Sequence, residues 1–283
     1  MCKQKADNNM PDKLLQDKEI EWLNTYANKV KCVFSTRFEI ASDRFKSSYP
    51  LLNRFTSAID AVKTNGRSLF SAVDEAHNEL CIAYAILENQ EPQFYCLEYE
   101  PQLNNCAKSI DFLATSDDLK VYIDVKTIKP LVTDRWEHYE ENKAKKERFP
   151  RHVNIILEKD CLGGELWHNM FAARGRILEH SLELENKIAE GNLLGEKTLF
   201  VLALCGEEFY WHQDELEDFV SYYYSGIHRD DDPFSKMEAW DIKNKHIAIS
   251  KTISRFACMS RTQGDILHKR LNWNVQPPHH PHF

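Results

Sequence analysis

The sequence predicts an α/β protein: a mixed central sheet flanked by helices, with a helical N-terminal extension. Three observations carry this. Helical periodicity fills the N-terminal part of the chain. Three short alternating segments follow between Phe94 and Ile128. A long amphipathic stretch then precedes a continuous apolar run, Leu199 to Cys205. Apolar residues at helical spacing mark one buried helix face, alternation marks a strand, and an unbroken apolar run marks a strand covered on both faces.

Taken in order, Asp12 to Val30 sets Leu14, Leu15, Ile20, Trp22, Leu23 and Ala27 at roughly helical spacing, and Tyr49 to Val62 repeats the pattern. Asn65-Gly66 breaks the chain. Ser68 to Asn89 predicts a long helix with Val73, Ala76, Leu80, Ala83 and Leu87 in one stripe. Phe94 to Glu100 alternates and stops at Pro101. Ser109 to Ala114 leads into a turn at Ser116-Asp117-Asp118, and Lys120 to Ile128 alternates up to Pro130. The charged stretch Asp134 to Arg148 predicts a helix, and Val153 to Leu157 a further strand. Glu165 to Glu190 is a second long helix, opened by Gly163-Gly164 and closed by Gly191. Thr198 to Cys205 is the buried strand and Gln213 to Tyr224 a last helix. Beyond it, through Asp230-Asp231-Asp232-Pro233 to the Pro-His tail, no regular pattern is expected. The division that follows is a helical extension over 1–66, a core over 67–206 with an insertion at 130–164, and a C-terminal extension over 207–283 packed on the core.

A chain of 283 residues, 42% hydrophobic and 28% charged, has the composition of a soluble globular protein with one large core. Its longest apolar run is too short to cross a bilayer, and Met1-Cys2-Lys3-Gln4-Lys5 precedes no hydrophobic stretch, so a cytoplasmic location is expected. The eight cysteines are scattered without a CxxC, which excludes a zinc ribbon built from close pairs. Cys81, Cys96 and Cys205 read as small buried hydrophobes. A net charge of −8 argues against a general polyanion binder but leaves room for a local cationic surface.

The chemistry concentrates in Lys120 to Ile128. On a strand, Val121, Ile123 and Val125 share one face while Tyr122, Asp124 and Lys126 share the other. With the apolar set toward the core, an aspartate and a lysine stand side by side. In the preceding segment Ile110 and Phe112 point one way and Asp111 the other, so a hairpin around Ser116-Asp117-Asp118 brings Asp111 close to Asp124. Hard carboxylate oxygens suit Mg²⁺ or Mn²⁺, and a neighbouring ammonium suits a phosphodiester under attack by water. An Asp-x-Lys alone is more often a solvated ion pair; the hairpin partner Asp111 and the following elements shift the balance toward function.

Ser109-Ile110-Asp111-Phe112 and Tyr122-Ile123-Asp124-Val125-Lys126-Thr127 together resemble the signature of the PD-(D/E)xK nuclease superfamily, which has the restriction-endonuclease-like fold. The order helix, three strands, helix, strand resembles that family's αβββαβ core. The likeness covers roughly Ser68 to Cys205 and departs from the family in having Ile110 where the name has proline. It implies Asp111 and Asp124 as catalytic metal ligands, Lys126 as the catalytic lysine, and the Val125 carbonyl as a further ligand. Glu79 on the helix would be an accessory acid, with Glu75 and Glu98 as alternatives. It implies Mg²⁺ or Mn²⁺ as cofactor, and nucleic acid, DNA before RNA, as substrate, in restriction, repair or defence. A homodimer fits an enzyme that cuts both strands. The alternative is a nuclease-like fold kept as a nucleic-acid-binding or assembly module without turnover.

Other patterns carry less. Lys143-Ala144-Lys145-Lys146-Glu147-Arg148 with Arg151 reads as a charged helix face more readily than a phosphate contact. Gly195-Glu196-Lys197-Thr198 lacks the upstream glycine of a phosphate loop and precedes a strand. Tyr222-Tyr223-Tyr224 reads as packing before base stacking. His279, His280 and His282 read as a tail.

Overall fold

The computed structural model describes residues 15–66, 69–88, 94–103, 109–129, 165–207, 211, 213–225, 253–261, 266 and 272–275. The chain forms two compact units. The first comprises Met1–Gln102, Ser109–Val125 and Gly264–His268, and the second comprises Leu103–Lys108, Lys126–Gln263 and Lys269–Phe283.

In the first unit, helix α1 (Asp17–Ile40) opens with the Glu19 carboxylate accepting the Gln16 N–H at 2.7 Å, which satisfies a donor that has no helical partner. Its buried stripe runs Leu23, Tyr26, Ala27, Val30, Phe34, Phe38. The last two extend the helix ten residues past Val30, where the expected helix stopped. The stripe earns that extension by packing: Phe38 meets Phe34 at 5.9 Å and Phe45 at 5.0 Å between ring centres. Helix α2 (Ser48–Asn65) buries Leu51, Phe55, Ile59 and Val62 and ends at Gly66, whose φ of 100° suits a residue without Cβ. Helix α3 (Phe70–Glu88) packs on both and is buried without a break from Ala76 to Ala83. A polar link crosses it. The carbonyl of Ile266 can only accept, so His77 Nε2 donates to it at 2.8 Å and His77 Nδ1 accepts from the Tyr26 hydroxyl.

Three strands complete the unit: β1 (Cys96–Tyr99), β2 (Phe112–Thr115) and β3 (Lys120–Thr127). They form an antiparallel meander in which Tyr99 pairs Phe112 and Phe112 pairs Ile123. The turn at Ser116-Asp117-Asp118 closes with Ser116 N–H on the Leu119 carbonyl at 2.9 Å. The connection between α1 and α2 is stitched to β1: Leu97 N–H reaches the Arg44 carbonyl at 2.8 Å and Tyr99 N–H reaches Ser47 Oγ at 2.7 Å. Backbone donors of β1 that do not face β2 are thus satisfied.

The second unit holds α4 (Glu165–Glu190), β4 (Thr198–Glu207), α5 (Gln213–Ser225), β5 (Arg255–Arg261) and β6 (Asn272–Val275). Strand β4 is parallel to β5, and β5 is antiparallel to β6, so this part of the sheet is mixed. Leu199 to Cys205 are all buried, as an unbroken apolar run requires. Gly206 is pinned by packing, since a Cβ there would stand 2.7 Å from the Trp211 carbonyl oxygen. Helix α5 packs on β4 and β5, and Ser260 Oγ accepts the first N–H of α5, from Gln213, at 3.1 Å. Strands β5 and β6 correct the expectation of an irregular C-terminal part. β5 finds its partner in β4, about fifty residues back in the sequence, a parallel pairing that leaves no hairpin signature nearby.

The architecture is therefore α/β with a mixed sheet and helices, in the order α3, β1, β2, β3, α4, β4 through the middle of the chain. The expected helix at Asp134–Arg148 and strand at Val153–Leu157, with the basic cluster Lys143–Arg151, lie outside the described residues, as do the Asp230–Pro233 segment and the histidine tail. The side chains of Tyr222 to Tyr224 lie outside them too. Among the described residues no helix is long and apolar enough to cross a membrane. Five described cysteines are free thiols. Cys81 and Cys205 are buried, but Cys96 is half-buried, on the face of β1 opposite Leu97 and Tyr99.

Phe112 is fully buried at the centre of the meander, with its ring 5.4 Å from that of Tyr99. Phe112→Ala should lower stability by about 3–5 kcal/mol, read as a lower urea midpoint. A loss below about 1 kcal/mol would show that this packing is not what holds the strands.

Candidate active site

The meander register decides what faces what. Pairing of Phe112 with Ile123 carries over one step to set Asp111 opposite Asp124. Asp111 sits at the bend just before β2, where the ladder ends, and its side chain takes over the role of a ladder partner. Asp111 Oδ2 accepts the Val125 N–H at 2.6 Å, a short charge-assisted bond that fixes the orientation of the carboxylate. On the other flank Glu100 N–H donates to the Asp111 carbonyl at 2.8 Å. Glu100 itself has φ of 49°, the left-handed region that non-glycine residues seldom occupy, directly before Pro101. Backbone strain of this kind is found where surroundings over-determine the chain.

Asp124 is fully buried, and so are its neighbours Ile123 and Val125. This corrects the expectation that Tyr122, Asp124 and Lys126 occupy an open face. Alternation between core and solvent cannot bury three residues in succession; β3 is covered on both sides at this point. A solvated surface ion pair is thereby ruled out for Asp124. Lys126, two residues further along β3 on the same side by alternation, is half-buried and begins the second unit.

Glu79 is buried on α3, and both carboxylate oxygens are engaged. Oε1 meets Arg54 Nη2 at 2.9 Å, and Oε2 accepts the Tyr99 hydroxyl at 3.0 Å. Arg54 Nη1 in turn donates to the Tyr99 oxygen at 3.0 Å and lies 3.9 Å from a Glu100 oxygen. The residues α2, α3 and β1 contribute here close a triangle of hydrogen bonds. Burial, and after it the charge of Asp111, push the Glu79 carboxyl up to about 8, with Arg54 and Tyr99 pulling the other way. Burial lowers the Arg54 guanidinium, but Glu79, Tyr99 and Asp111 outweigh it and hold the charge more firmly than usual. Burial also raises the Tyr99 phenol, with Glu79 adding to it.

The other candidate acids stand apart. Glu98 is exposed on the face of β1 opposite Tyr99, and its charge is felt by Tyr122. Glu75 is half-buried, one turn before Glu79. Arg54 and Tyr99 were not singled out from sequence. Arg54 carried a weak signal: it lies three residues after Leu51 and beside Phe55, at the border of the apolar stripe of α2, where a charged side chain needs a reason. Tyr99 alternates with the core residue Leu97, which predicts its burial but not its partner.

Two aspartates opposed at a strand end, one of them half-exposed, offer hard oxygen donors suited to Mg²⁺ or Mn²⁺ with water completing the shell. Among the described residues no group of three or more His, Cys, Asp or Glu side chains is arranged to hold a metal ion. A divalent ion thus fits the Asp111–Asp124 pair, and Glu79 in this arrangement is committed to Arg54 and Tyr99. No family model matches the chain, and neither a curated protein nor a solved structure is similar to it.

A carboxyl raised in the folded state retains its proton while the unfolded chain releases one. Stability should therefore fall as pH rises from 4.5 toward about 8, then level off. In EDTA, Glu79→Gln should flatten that decline, so that the variant gains on wild type between pH 5 and pH 8. Parallel melting profiles for the two proteins across this range would mean that Glu79 stays ionised in the fold.

Proposed function

We propose that this protein is a Mg²⁺- or Mn²⁺-dependent nuclease of the PD-(D/E)xK kind, hydrolysing phosphodiester bonds in nucleic acid, DNA before RNA. The observation that carries the reading is the register placing Asp111 opposite the buried Asp124, two residues before Lys126 on one strand. The order of elements around β3 supports it, being the αβββαβ order of that fold.

Asp111 and Asp124 would hold the cation, with the Val125 carbonyl as a further ligand in the family's manner. When bound, the ion neutralises phosphate charge and lowers the pKa of the attacking water. The chain supplies the rest. The Val125 N–H keeps the Asp111 carboxylate aimed, so the site is organised before substrate arrives. Burial of Asp124 removes competing water and strengthens its pull on any cation. Lys126, on the same side of β3, orients the attacking water or a non-bridging phosphate oxygen and stabilises the charge that develops there. Water adds to phosphorus, the bond to the leaving sugar oxygen breaks, and that oxygen is protonated by solvent.

Two measurements test this. Single- and double-stranded DNA and RNA, incubated with Mg²⁺, Mn²⁺ or EDTA, should show metal-dependent cleavage of DNA. Under single-turnover conditions at saturating protein, Asp124→Asn and Lys126→Ala should each slow cleavage by about a hundredfold or more, with DNA affinity held within a few fold. Lys126→Arg should rescue poorly, because a planar guanidinium does not replace a compact ammonium. Wild-type rates in Lys126→Ala would sink the assignment. DNA binding with no cleavage in any metal would point instead to a nuclease-like binding module.

Metal should also stabilise the fold. A ligand that binds only the folded state adds about 2.7 kcal/mol at one hundred times its Kd. Millimolar Mn²⁺ should raise the melting temperature of wild type and leave Asp111→Asn/Asp124→Asn unmoved. An equal rise in both would locate the ion elsewhere, the histidine tail included.

A further inference from the structure

We infer that Arg54 is the resident counter-cation of this site: it commits Glu79 away from metal coordination, so that the site takes one divalent ion, on Asp111 and Asp124. The inference rests on the metal-nuclease reading and narrows it. Three acids able to turn toward a common point would gather two ions; here only two acids are available to do so.

The geometry supports this at each contact. Glu79 is 5% exposed at its side chain, and its oxygens are occupied by Arg54 at 2.9 Å and Tyr99 at 3.0 Å. To ligate a metal it must surrender at least one of these bonds inside a covered environment, where an unmet donor is expensive. A second cation placed against Glu79 would also stand near a guanidinium that never deprotonates, and like charges at such range repel strongly where water is scarce. Arg54 is braced from the far side by the Tyr99 hydroxyl at 3.0 Å and by Glu100 at 3.9 Å, so it does not simply swing away. Its field reaches Asp111 as well, which relieves part of the repulsion between the acids before any ion binds. The described residues accordingly contain no three-acid metal set.

An Arg–Glu pair that is only a structural brace would leave metal binding indifferent to its charge, and this separates the two roles. Mn²⁺ is titrated into the full chain by calorimetry, with free ion counted by its paramagnetic resonance. Wild type should bind one Mn²⁺ per chain, and Asp124→Asn should lose it. Glu79→Gln should bind one, with Kd within about twofold of wild type. Arg54→Gln should bind Mn²⁺ at least about fivefold more tightly, or take a second ion, because Glu79 is released and the local charge is more negative. Arg54→Gln/Glu79→Gln removes both charges together and so avoids a buried unpaired carboxylate; it should fold and keep one ion at wild-type affinity.

Two ions in wild type, or a tenfold loss of affinity in Glu79→Gln, would overturn the inference while leaving the nuclease reading intact. Unchanged binding in Arg54→Gln would reduce Arg54 to a brace and overturn it too. Should Arg54→Gln fail to fold, the double variant decides, and loss of its ion overturns the claim. Absence of any bound Mn²⁺ in wild type is a different result: it removes the metal-nuclease reading, and the one-ion site with it.

Discussion

A carboxylate taken out of water has to be given back charge or hydrogen bonds, and the first unit buries two of them within one small region. Asp124 is fully covered on β3 and Glu79 nearly so on α3. Uncompensated, either would cost several kcal/mol or give up its charge. The compensation for Glu79 is specific: a guanidinium from α2 and a phenol from β1, joined to each other as well as to the acid. Three elements distant in sequence are fixed by that requirement, because moving any of them leaves a buried polar group without its partner.

The same requirement positions the strand end. Tyr99 closes β1, and the next residue, Glu100, turns through the left-handed region to present its N–H to the Asp111 carbonyl. Asp111 then reaches across to the Val125 N–H. The orientation of the proposed metal-binding carboxylate therefore descends from the α2–α3–β1 packing through a chain of short contacts. A site held in this way is built from rigid elements, as precise chemistry requires. The left-handed backbone at Glu100 is tolerated because both of its neighbours are anchored, Tyr99 by Arg54, Glu79 and Ser47, and Pro101 by its own ring.

Local pattern made much of this legible. The stripe Val73, Ala76, Leu80, Ala83 and Leu87 marks α3, the alternation of Lys120 to Ile128 marks β3, and Ser116-Asp117-Asp118 marks the turn that sets Asp111 against Asp124. These are short-range signals, and the register of a tight hairpin follows from its turn. What could not be read depends on contacts far apart in the chain. Phe34 and Phe38 extend α1 because Phe45 and the neighbouring helices cover them. Strand β5 exists as a strand through β4. The full burial of Asp124 arises from elements on both sides of β3, whereas alternation alone predicts one wet face. Arg54 and Glu79 stand twenty-five positions apart, and nothing in either helix announces that they meet.

Burial also bears on why an Asp-x-Lys here differs from the many that decorate strand surfaces. An exposed Asp–Lys pair contributes little to stability and is freely lost or gained. A buried aspartate is a standing liability, since an apolar side chain of similar size would serve the core of β3 better. Glu79 carries a comparable liability, expressed in a carboxyl pushed well above its ordinary range by burial and by Asp111. Two such liabilities at one strand end, with one acid oriented by a backbone donor and the other matched to a guanidinium, are hard to explain by folding alone. Stability sacrificed at a defined place is the physical trace of a site that must hold charge in readiness. The ligand that would recover the sacrifice is a small hard cation, which is the reason the Asp111–Asp124 pair, rather than the more elaborate Arg54–Glu79–Tyr99 cluster beside it, is read as the reacting centre. The cluster has already neutralised itself; the pair has its charge still to spend.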